Sequence, residues 1–393
     1  MAKRNLEPPV RPWGWWALGA GLVSFGVGWV LGWPELAVPG AAVITVFAIG
    51  TVSSLGNPKF EVELTAGHRR VPVGSDPEVK IRARNVGRRR SPAQRLTLPV
   101  AERQVPVRLP ALAPGESVAA DVSVPTGRRA MLPVGPTKAV RGDPFGMVGR
   151  TWSWGNTLEV VVYPPTVTVP VSWPGMAKDI EGKPTGQPSE ADVSFHALRE
   201  YVHGDDIRSI HWRSTARLGH LMVRQSEDTR RVQMVLLVST APEEYARRRD
   251  FELAVSVYAS LGLAQAQASG DLAVLAGGST LPIAKAGPGP VLDHAAASQL
   301  GPPGAANHSL ASAAGRSRRE APRATLAILV TGTKLPVSAV RRAAWFLPRE
   351  ASALALRCEQ GAELTVSKIG RLGLGTIGSL DELPRALRRL GLQ

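Results

Sequence analysis

Residues 199–227 (REYVHGDDIRSIHWRSTARLGHLMVRQSE), hereafter the motif segment, bring acidic, basic and aromatic side chains together in one short stretch. Guanidinium groups bind phosphate and carboxylate in a forked geometry, so the segment could bind an anion or an acidic partner. The same residues could instead form a salt-bridged junction between domains, which we favour because interlocked ion pairs more often orient elements. The candidate site residues are Arg199, Glu200, Tyr201, Gly204, Asp205, Asp206, Arg208, Ile210, Trp212, Ser214, Ala216, Arg217, Arg224 and Glu227.

A short helix is predicted inside the motif segment, over residues 207–217. Gly204 permits a turn, either of the two following aspartates can cap the helix, and Gly219 suits its C-terminal stop. Ile207, Ile210 and Ser214 share a face of this helix, with Trp212 and Ala216 nearby at helical spacing, so we expect part of the helix to be buried against a sheet. Its arginines are expected to pair with carboxylates of the same segment. These candidate pairs join Arg208, Arg213 or Arg217 to Glu200, Asp205, Asp206 or Glu227.

Sequence signatures of other chemistries are missing. The spacings between His196, His203, His211 and His220 are seven, eight and nine residues, which match no zinc-binding pattern. The chain has neither a G-x-S-x-G elbow nor a Walker-type phosphate loop, so a serine hydrolase and a P-loop ATPase are unsupported. Its one cysteine, Cys358, excludes an intramolecular disulfide and lies in the apolar run ALALRC, which predicts a buried thiol. We predict no catalytic residue, metal or cofactor.

The elements that position the motif segment begin with two uncharged stretches, residues 12–34 and 36–58. Each exceeds the ~20 residues that cross a bilayer as a helix. Only Glu35 lies between them, next to Pro34, so we predict a two-helix transmembrane hairpin after a short N-terminus of residues 1–11. The flanking basic residues are Lys3, Arg4 and Arg11 before the hairpin and Lys59, Arg69 and Arg70 after it. They predict a two-pass protein of the inner cell membrane with both termini and the soluble domains in the cytoplasm.

Two further patterns lie within the hairpin. Five tryptophans near the ends of the first stretch suit indoles at the headgroup interfaces; they are Trp13, Trp15, Trp16, Trp29 and Trp33. Ser24, Gly28 and Gly32 have the small-xxx-small spacing that lets a second helix approach closely, although glycine is also ordinary filler in such spans. A cleaved signal peptide is the alternative interpretation. The long apolar stretch and the lack of a small-x-small cleavage site count against it.

Composition limits the function classes. The 393 residues are 44% hydrophobic and 20% charged, which excludes a disordered polyelectrolyte and a wholly apolar membrane protein. Lys and Arg number 47 against 32 Asp and Glu, a net charge of +15 that suits anionic lipids, nucleic acids or acidic proteins. Nucleic-acid binding needs stacking aromatic residues, and these lie mostly in the first apolar stretch, so we expect no nucleic-acid partner.

Two soluble domains are predicted. Residues 59–165 contain six short β-like runs separated by Pro and Gly, which predict a β-sandwich of immunoglobulin-like type, and residues 166–198 are a connection. The six runs are FEVEL, EVKIRARNV, RLTLPV, VPVRLP, SVAADVSVP and LEVVVYPP. Residues 199–393 hold the motif segment and then apolar strands alternating with helices, which predicts an α/β domain with a parallel sheet. Its predicted elements are strands 231–238, 271–276, 324–330 and 351–357 and helices 243–268, 337–346 and 380–390. Residues 286–322, rich in Ala, Gly, Pro and Ser, are interpreted as a flexible insertion.

The motif segment resembles the bacterial domain-of-unknown-function 58 family. The order R-E-Y, G-D-D-x-R-x-I-x-W, S-x-A-R, L-x-V-R and E carries this resemblance. It extends upstream to a series that the family writes as RRG, GP, DPFG and a VYP strand, although Ala130 stands where the family usually has Gly. The upstream motif residues are Arg128, Arg129, Asp143, Pro144, Phe145 and Gly146.

The resemblance implies a von Willebrand factor A-like fold for the C-terminal domain. Such domains often hold Mg²⁺ with a D-x-S-x-S motif after the first strand, because its oxygens are hard ligands. Here Val238, Thr240 and Pro242 occupy the three motif positions, and Val and Pro offer no side-chain oxygen. The later strand ends in Thr331 and Thr333, again without a carboxylate. We therefore predict no metal in this degenerate loop, whose face near residues 239–243 could still bind a partner.

Our first functional hypothesis is a non-enzymatic, membrane-anchored cytoplasmic scaffold or adaptor that binds proteins. The family is typically encoded beside MoxR-type AAA+ ATPases, often with other membrane proteins, so the resemblance implies such an ATPase as partner in envelope-related assembly. The alternative is a hydrolase with an acid or base in the motif segment, for which His203 and Asp205 are the residues to replace. A weaker third hypothesis is a basic membrane-surface protein that binds nucleic acid.

Overall fold

A computed structural model describes residues 3–4, 11–54, 59–142, 147–169, 193–202, 205, 207, 210–228, 233–284, 287–348 and 351–391. The described chain separates into two compact units, residues 1–163 and 164–393. The first holds the two apolar helices and a β region, and the second holds the motif segment and an α/β domain. Upstream motif residues Asp143, Pro144, Phe145 and Gly146, together with Gly204, Asp206 and Arg208 of the motif segment, lie outside the described residues.

The first unit begins with the helical hairpin. After the two-residue strand β1 (Lys3–Arg4), helix α1 (Pro12–Leu31) and helix α2 (Pro34–Ser54) run back along each other. Both are long and apolar enough to cross a membrane, and most of their residues are exposed, unlike those of a core helix in a soluble domain. The five tryptophans predicted at the interfaces are all exposed. These helices suggest a membrane anchor, and its orientation stays a prediction.

Small residues bring the two helices into backbone contact. A Cβ atom on Gly28 would lie 2.4 Å from the Ala37 nitrogen, and one on Gly40 would lie 2.5 Å from the Phe25 nitrogen, so only glycine fits at either position. The Ser24 hydroxyl donates to the Leu36 carbonyl at 2.8 Å. Gly32 has another role: it ends α1 at φ 69°. The small-residue spacing thus predicted two of the three contact positions.

The β region of the first unit consists of two sheets. The smaller sheet joins β2 (Phe60–Ala66), β4 (Glu78–Asn85) and β7 (Ser117–Ser123) in antiparallel pairs. The larger sheet has the order β1-β10-β9-β5-β8-β11-β3, with a further strand, β6, paired to β5. Its remaining strands are β3 (Arg70–Pro72), β5 (Gln94–Val100), β6 (Arg103–Leu109), β8 (Ala130–Val134), β9 (Thr137–Gly142), β10 (Gly149–Trp154) and β11 (Leu158–Tyr163).

Alternating apolar residues of both sheets meet in one core, which includes Leu64, Ile81, Leu96, Leu98 and Trp154. The six runs interpreted as strands all form strands. Strands β3, β8, β9 and β10 were not predicted, because their apolar patterns are shorter or less regular. Tertiary packing makes these segments extended. The backbone N–H of Arg11 donates to the Met147 carbonyl at 3.1 Å, so the entry to α1 is tied to this β region.

The α/β domain has a seven-stranded sheet of order β16-β15-β14-β17-β18-β20-β19. Five neighbouring strands are parallel, and the edge strands β16 and β19 are antiparallel to their neighbours. The strands are β14 (Gln233–Val238), β15 (Asp271–Ala276), β16 (Ser279–Ala284), β17 (Leu326–Gly332), β18 (Ser352–Cys358), β19 (Thr365–Ile369) and β20 (Leu372–Ile377). The predicted parallel sheet is confirmed.

Helices cover both faces of this sheet, which is why its strands are apolar on both sides. Helices α4 (Arg248–Gln267), α5 (Pro288–Ala297) and α8 (Leu383–Arg389) pack on one face. Helices α6 (Leu310–Glu320) and α7 (Val337–Trp345) pack on the other. Cys358, the last residue of β18, is fully buried on the face that the first group of helices covers. Burial raises the pKa of its thiol far above the usual range.

One prediction about a connecting segment is wrong. Residues 286–322 are not a flexible insertion, because α5, a 3-10 turn (Ala306–His308) and α6 occupy most of them and bury Val291, Leu310 and Ala314 against the sheet. Alanine-rich sequence without large apolar residues concealed these helices, since Ala buries well but gives a weak periodic signal. Most of the predicted connection 166–198 lies outside the described residues, which resume at residue 193. At its two ends, Val169 is buried in the α/β domain and strand β12 (Val193–Glu200) begins.

Candidate functional site

The motif segment is built on a two-stranded antiparallel hairpin of β12 and β13 (Met222–Asp228). Between the strands lies helix α3 (Trp212–Leu218), which is shorter than the predicted helix 207–217. The Tyr201 N–H donates to the Leu221 carbonyl, and Ile210 pairs with Val223 across a β-bridge. Arg199 and Glu200 end β12, while Ser214, Ala216 and Arg217 lie on α3. Motif residues Arg224 and Glu227 belong to β13.

Side-chain caps explain why α3 begins at Trp212. The Nδ1 atom of His211 accepts from the Ser214 N–H at 3.3 Å and lies 2.8 Å from the Ser214 hydroxyl. An imidazole therefore caps this helix N-terminus, where Ser or Asp is the usual residue. Gly219 ends the helix with φ 75°, as predicted, and its N–H donates to the Thr215 carbonyl. The Thr215 hydroxyl accepts from the Met222 N–H at 3.0 Å, which ties the helix to β13.

Asp205 pairs with Arg199 rather than with the predicted arginines. The guanidinium donates to both carboxylate oxygens, at 2.7 and 2.6 Å, and the Val202 N–H adds a third hydrogen bond at 2.9 Å. These donors, the Arg199 guanidinium first, lower the pKa of Asp205 to about 2. A carboxyl group with this pKa donates no proton near neutral pH, so the geometry does not favour Asp205 as a general acid. Its local role is to hold the loop that follows β12.

The predicted burial of the motif helix is wrong for its largest side chains. Trp212 exposes 64% of its surface and Ile207 exposes 65%, whereas Ile210 is buried together with Met222 and Val223. Val202, Leu218 and Leu221 are exposed as well. These five exposed side chains, Val202, Ile207, Trp212, Leu218 and Leu221, are hereafter the exposed apolar group. Helical spacing predicted that apolar residues would share a face, but the short β-hairpin offers too little surface to cover them.

The degenerate loop lies at the other candidate site, where β14 and β17 end side by side. Helix α4 leads from β14 to β15 on one side, and α7 leads from β17 to β18 on the other side. This is therefore the switch point at which open α/β sheets bind ligands. Thr240 is buried, its hydroxyl lies 2.7 Å from His308 Nδ1, and its backbone carbonyl accepts from the Gly301 N–H at 2.9 Å. The segment around residues 301–308 therefore covers Thr240. The expectation that the face near residues 239–243 meets a partner is wrong for the buried Ser239 and Thr240.

A buried carboxyl group at this switch point accepts hydrogen bonds from two neighbouring elements. Glu244 accepts from the Leu310 N–H, at the start of α6, at 3.1 Å and from the Thr331 hydroxyl at 2.8 Å. A buried carboxyl needs such donors, and a helix N-terminus suits its negative charge. Beside it, the Tyr245 hydroxyl donates to the Ser239 carbonyl at 2.7 Å. Glu244 was not among the predicted site residues; a pair of glutamates in the loop that follows the first apolar strand of the α/β domain was the available signal.

The side chains of this loop do not fit the divalent metal that von Willebrand factor A-like domains often hold. Val238 ends β14 inside the core and Pro242 begins a 3-10 turn, and neither has a side-chain oxygen. The hydroxyls of Thr240 and Thr331 already contact His308 and Glu244. Within the described ranges, no three His, Cys, Asp or Glu side chains are placed to hold a metal ion.

Comparison with known proteins identifies the C-terminal region. Residues 197–376 match the family model described as "Protein of unknown function DUF58". This region of the chain is similar to the DUF58 family. The match begins within β12 and ends within β20, so it takes in the motif segment and most of the α/β sheet. The DUF58 region therefore includes both candidate sites, and the resemblance stated for the motif segment is confirmed.

The chain matches no curated protein. Among solved structures it is similar to the CARDB domain of the PF1109 protein from Pyrococcus furiosus, in two structures. The crystal structure, in complex with di-metal ions, is 17% identical with a TM-score of 0.21, and it covers 27% of this chain and 93% of that chain. The solution structure is 16% identical with a TM-score of 0.20, covering 27% and 94%. These low scores support no inference about fold or ligand.

Proposed function

We propose that this chain is a membrane-anchored scaffold that binds other proteins through the exposed apolar group of its motif segment. The observation that carries the proposal is the exposure of Trp212, an aromatic residue in a segment whose backbone is fixed by caps and an ion pair. Aromatic side chains presented on a fixed backbone are the usual anchors of protein interfaces. Arg213 and Arg217 flank the group one helical turn apart, so a partner surface with apolar and acidic residues would be complementary.

The family supplies the class of partner. A MoxR-type AAA+ ATPase is the partner implied by the resemblance, with further membrane proteins in envelope-related assembly. The two apolar helices support placement of the scaffold at a membrane, with the soluble units in the cytoplasm according to the flanking basic residues. A parallel sheet covered by helices on both faces supports the von Willebrand factor A-like assignment of the α/β domain.

The test is affinity purification of the full chain from native membranes in mild detergent, with ATP or a non-hydrolysable analogue, followed by mass spectrometry. We expect nucleotide-dependent recovery of an AAA+ ATPase. The W212A variant should recover at least about tenfold less of it, because truncating an anchor costs on the order of 2 kcal/mol of binding.

The matched control is V86A, which also removes an exposed apolar side chain but lies in the β region, outside the motif segment. Both variants should melt within about 2 °C of the wild type, because exposed substitutions change stability little. Equal loss of the ATPase in both variants would contradict the assigned surface. Recovery of the chain alone, under conditions where a known membrane complex survives, would contradict the scaffold and leave the hydrolase hypothesis, for which H203A and D205N would be assayed.

A further inference from the structure

Three helices of the α/β domain end in arginine at the same edge of the sheet. Helices α6 and α7 lead into the parallel strands β17 and β18 and run antiparallel to them, so their C-termini lie at the edge where the strands begin. Helix α8 follows the last strand, and a Cβ atom on Gly373, near the start of β20, would lie 3.0 Å from its C-cap residue Leu390. The last turns of α6, α7 and α8 contain Arg318 and Arg319, Arg342, and Arg388 and Arg389. We call the edge where β14, β15, β17, β18 and β20 begin the basic edge. Cations at helix C-termini are favoured by the helix dipole, which accounts for part of this pattern.

The connection between the last two strands adds further positive charge there. Lys368 and Arg371 flank the turn from β19 to β20, which lies at the start of β20. The described carboxylates at this edge are Asp271, which begins β15, and Glu320, whose carboxylate lies 4.0 Å from Arg316. The helix dipole accounts for neither Lys368 nor Arg371, because no helix ends at that turn.

Two exposed aromatic side chains lie among these cations. Trp345 exposes 87% of its surface, more than the 81% of Trp16 in a helix suited to a membrane, and Phe346 exposes 45%. They end α7, one turn after the exposed Arg341 and Arg342. Burial against the sheet uses Val340 and Ala343 instead, so the fold does not need the aromatic rings. An indole beside guanidinium groups is the combination that lies at the boundary of headgroups and acyl chains.

We propose that the basic edge contacts an anionic lipid surface, with Trp345 and Phe346 at the headgroup boundary and Arg341 and Arg342 on phosphate groups. The inference rests on the membrane anchor of the proposed function, since the hairpin keeps the chain at a bilayer. Charge complementarity selects anionic lipid: basic side chains beside a membrane are attracted to acidic headgroups. The protein partner of the motif segment would then bind a domain that is already held against the bilayer.

The experiment uses the full chain in nanodiscs of phosphatidylcholine alone or of equal parts phosphatidylcholine and phosphatidylglycerol. An environment-sensitive fluorophore is attached at S352C, an exposed position at the start of β18, and separately at E363C near the opposite edge. The native Cys358 is fully buried and does not compete for the label. Nitroxide attached to the lipid headgroups quenches a label only when the label is near the membrane surface.

We expect quenching of the S352C label in anionic discs only, and none of the E363C label in either disc. R341Q/R342Q should lower the equilibrium constant for membrane contact roughly 30-fold, from about fivefold per guanidinium near an anionic surface. W345A/F346A should reduce quenching as well. The control variant R248Q/R249Q removes two exposed arginines at the start of α4, at the other edge, and should leave quenching unchanged.

Several results would overturn the proposal. Quenching that is equal in both discs, or equal in R341Q/R342Q and R248Q/R249Q, would mean that the basic edge does not recognise anionic lipid. A label response to duplex DNA in phosphatidylcholine discs would assign the edge to nucleic acid instead. If the chain inserts into discs and binds its ATPase but the S352C label is not quenched, this inference fails alone; if the chain does not insert, the anchor fails with it.

Discussion

The two edges of the α/β sheet have opposite characters. At the edge where β14 and β17 end, Glu244, Thr240 and Thr331 hydrogen-bond within the protein, and the loop that follows α5 covers them. At the basic edge, arginines and an indole are exposed and unused by the core. The position where this architecture usually binds ligands is therefore structural in this chain.

The largest expected effect is the loss of the internal carboxyl group. E244A leaves the Leu310 N–H and the Thr331 hydroxyl buried without their acceptor, so we expect about 3 kcal/mol lower free energy of unfolding. Thermal unfolding of the purified chain in detergent measures this. E243Q is the control, because Glu243 is exposed and accepts from the Gly304 N–H, and it should cost less than about 1 kcal/mol. Equal effects on the free energy of unfolding would mean that Glu244 does not stabilise the edge where β14 and β17 end.

A glycine at the end of β17 tests how tightly the same edge is packed. A Cβ atom on Gly332 would lie 2.2 Å from the Glu244 carbonyl oxygen and 2.7 Å from the Tyr245 ring, so G332A should destabilise the chain by about 2 kcal/mol. Gly315 in α6 faces open space, and G315A should instead stabilise it by about 0.5–1 kcal/mol. Denaturant midpoints compare the two. An undestabilised G332A would show a looser edge than the contacts indicate.

His294 of α5, near the edge where β14 and β17 end, is expected to make a smaller, pH-dependent contribution to stability. Its Nε2 lies 3.0 Å from the Ser279 hydroxyl, and burial lowers its pKa below 6.5. The unfolded chain therefore binds the proton more readily than the folded chain. This contribution to stability is complete above about pH 6.5 and is lost as the pH falls toward the depressed value. The melting temperature of the wild type should fall over this range more steeply than that of H294Q; parallel curves would contradict the assignment.

The smallest effect on stability is expected at the basic edge. R341Q/R342Q should change the free energy of unfolding by about 0.5 kcal/mol or less, because both side chains are exposed and contribute only a helix-terminal interaction. The same variant should lose membrane contact. Thermal unfolding measured beside the quenching assay separates the two outcomes. A loss of stability as large as that of E244A would remove the contrast between the edges.

Periodicity predicted the parts of the fold that have long apolar patterns. The hairpin, six strands of the β region and the strands 233–238, 271–276, 326–332 and 352–358 followed from runs of Val, Ile, Leu and Ala. Helices α5 and α6 did not, because their buried faces consist largely of alanine, which a composition argument assigns to loops. The start of α4 was also placed early, at residue 243, because the 3-10 turn Pro242–Glu244 precedes it.

The candidate sites were predicted unevenly. The order of residues in the motif segment identified the family, and Gly219 gave the end of α3. The ion-pair partner of Asp205 was not predictable, since Arg199 is one of several nearby arginines and only the hairpin of β12 and β13 brings the two side chains together. Exposure of Trp212 was likewise beyond the sequence, because helical spacing says that a face is apolar and not whether anything covers it.

Sequence alone determined the family, the two apolar helices, the parallel sheet and the lack of oxygen ligands at Val238 and Pro242, because each depends on residue type or local period. Tertiary structure decided how the chain uses them. Only folding carries Glu244 beneath Thr331 and the start of α6, separated from each by more than sixty residues of sequence. Only the path of the folded chain brings Arg342, Trp345 and Arg389 to one edge, since α7 returns across the parallel sheet to the start of β18 and α8 ends beside the start of β20.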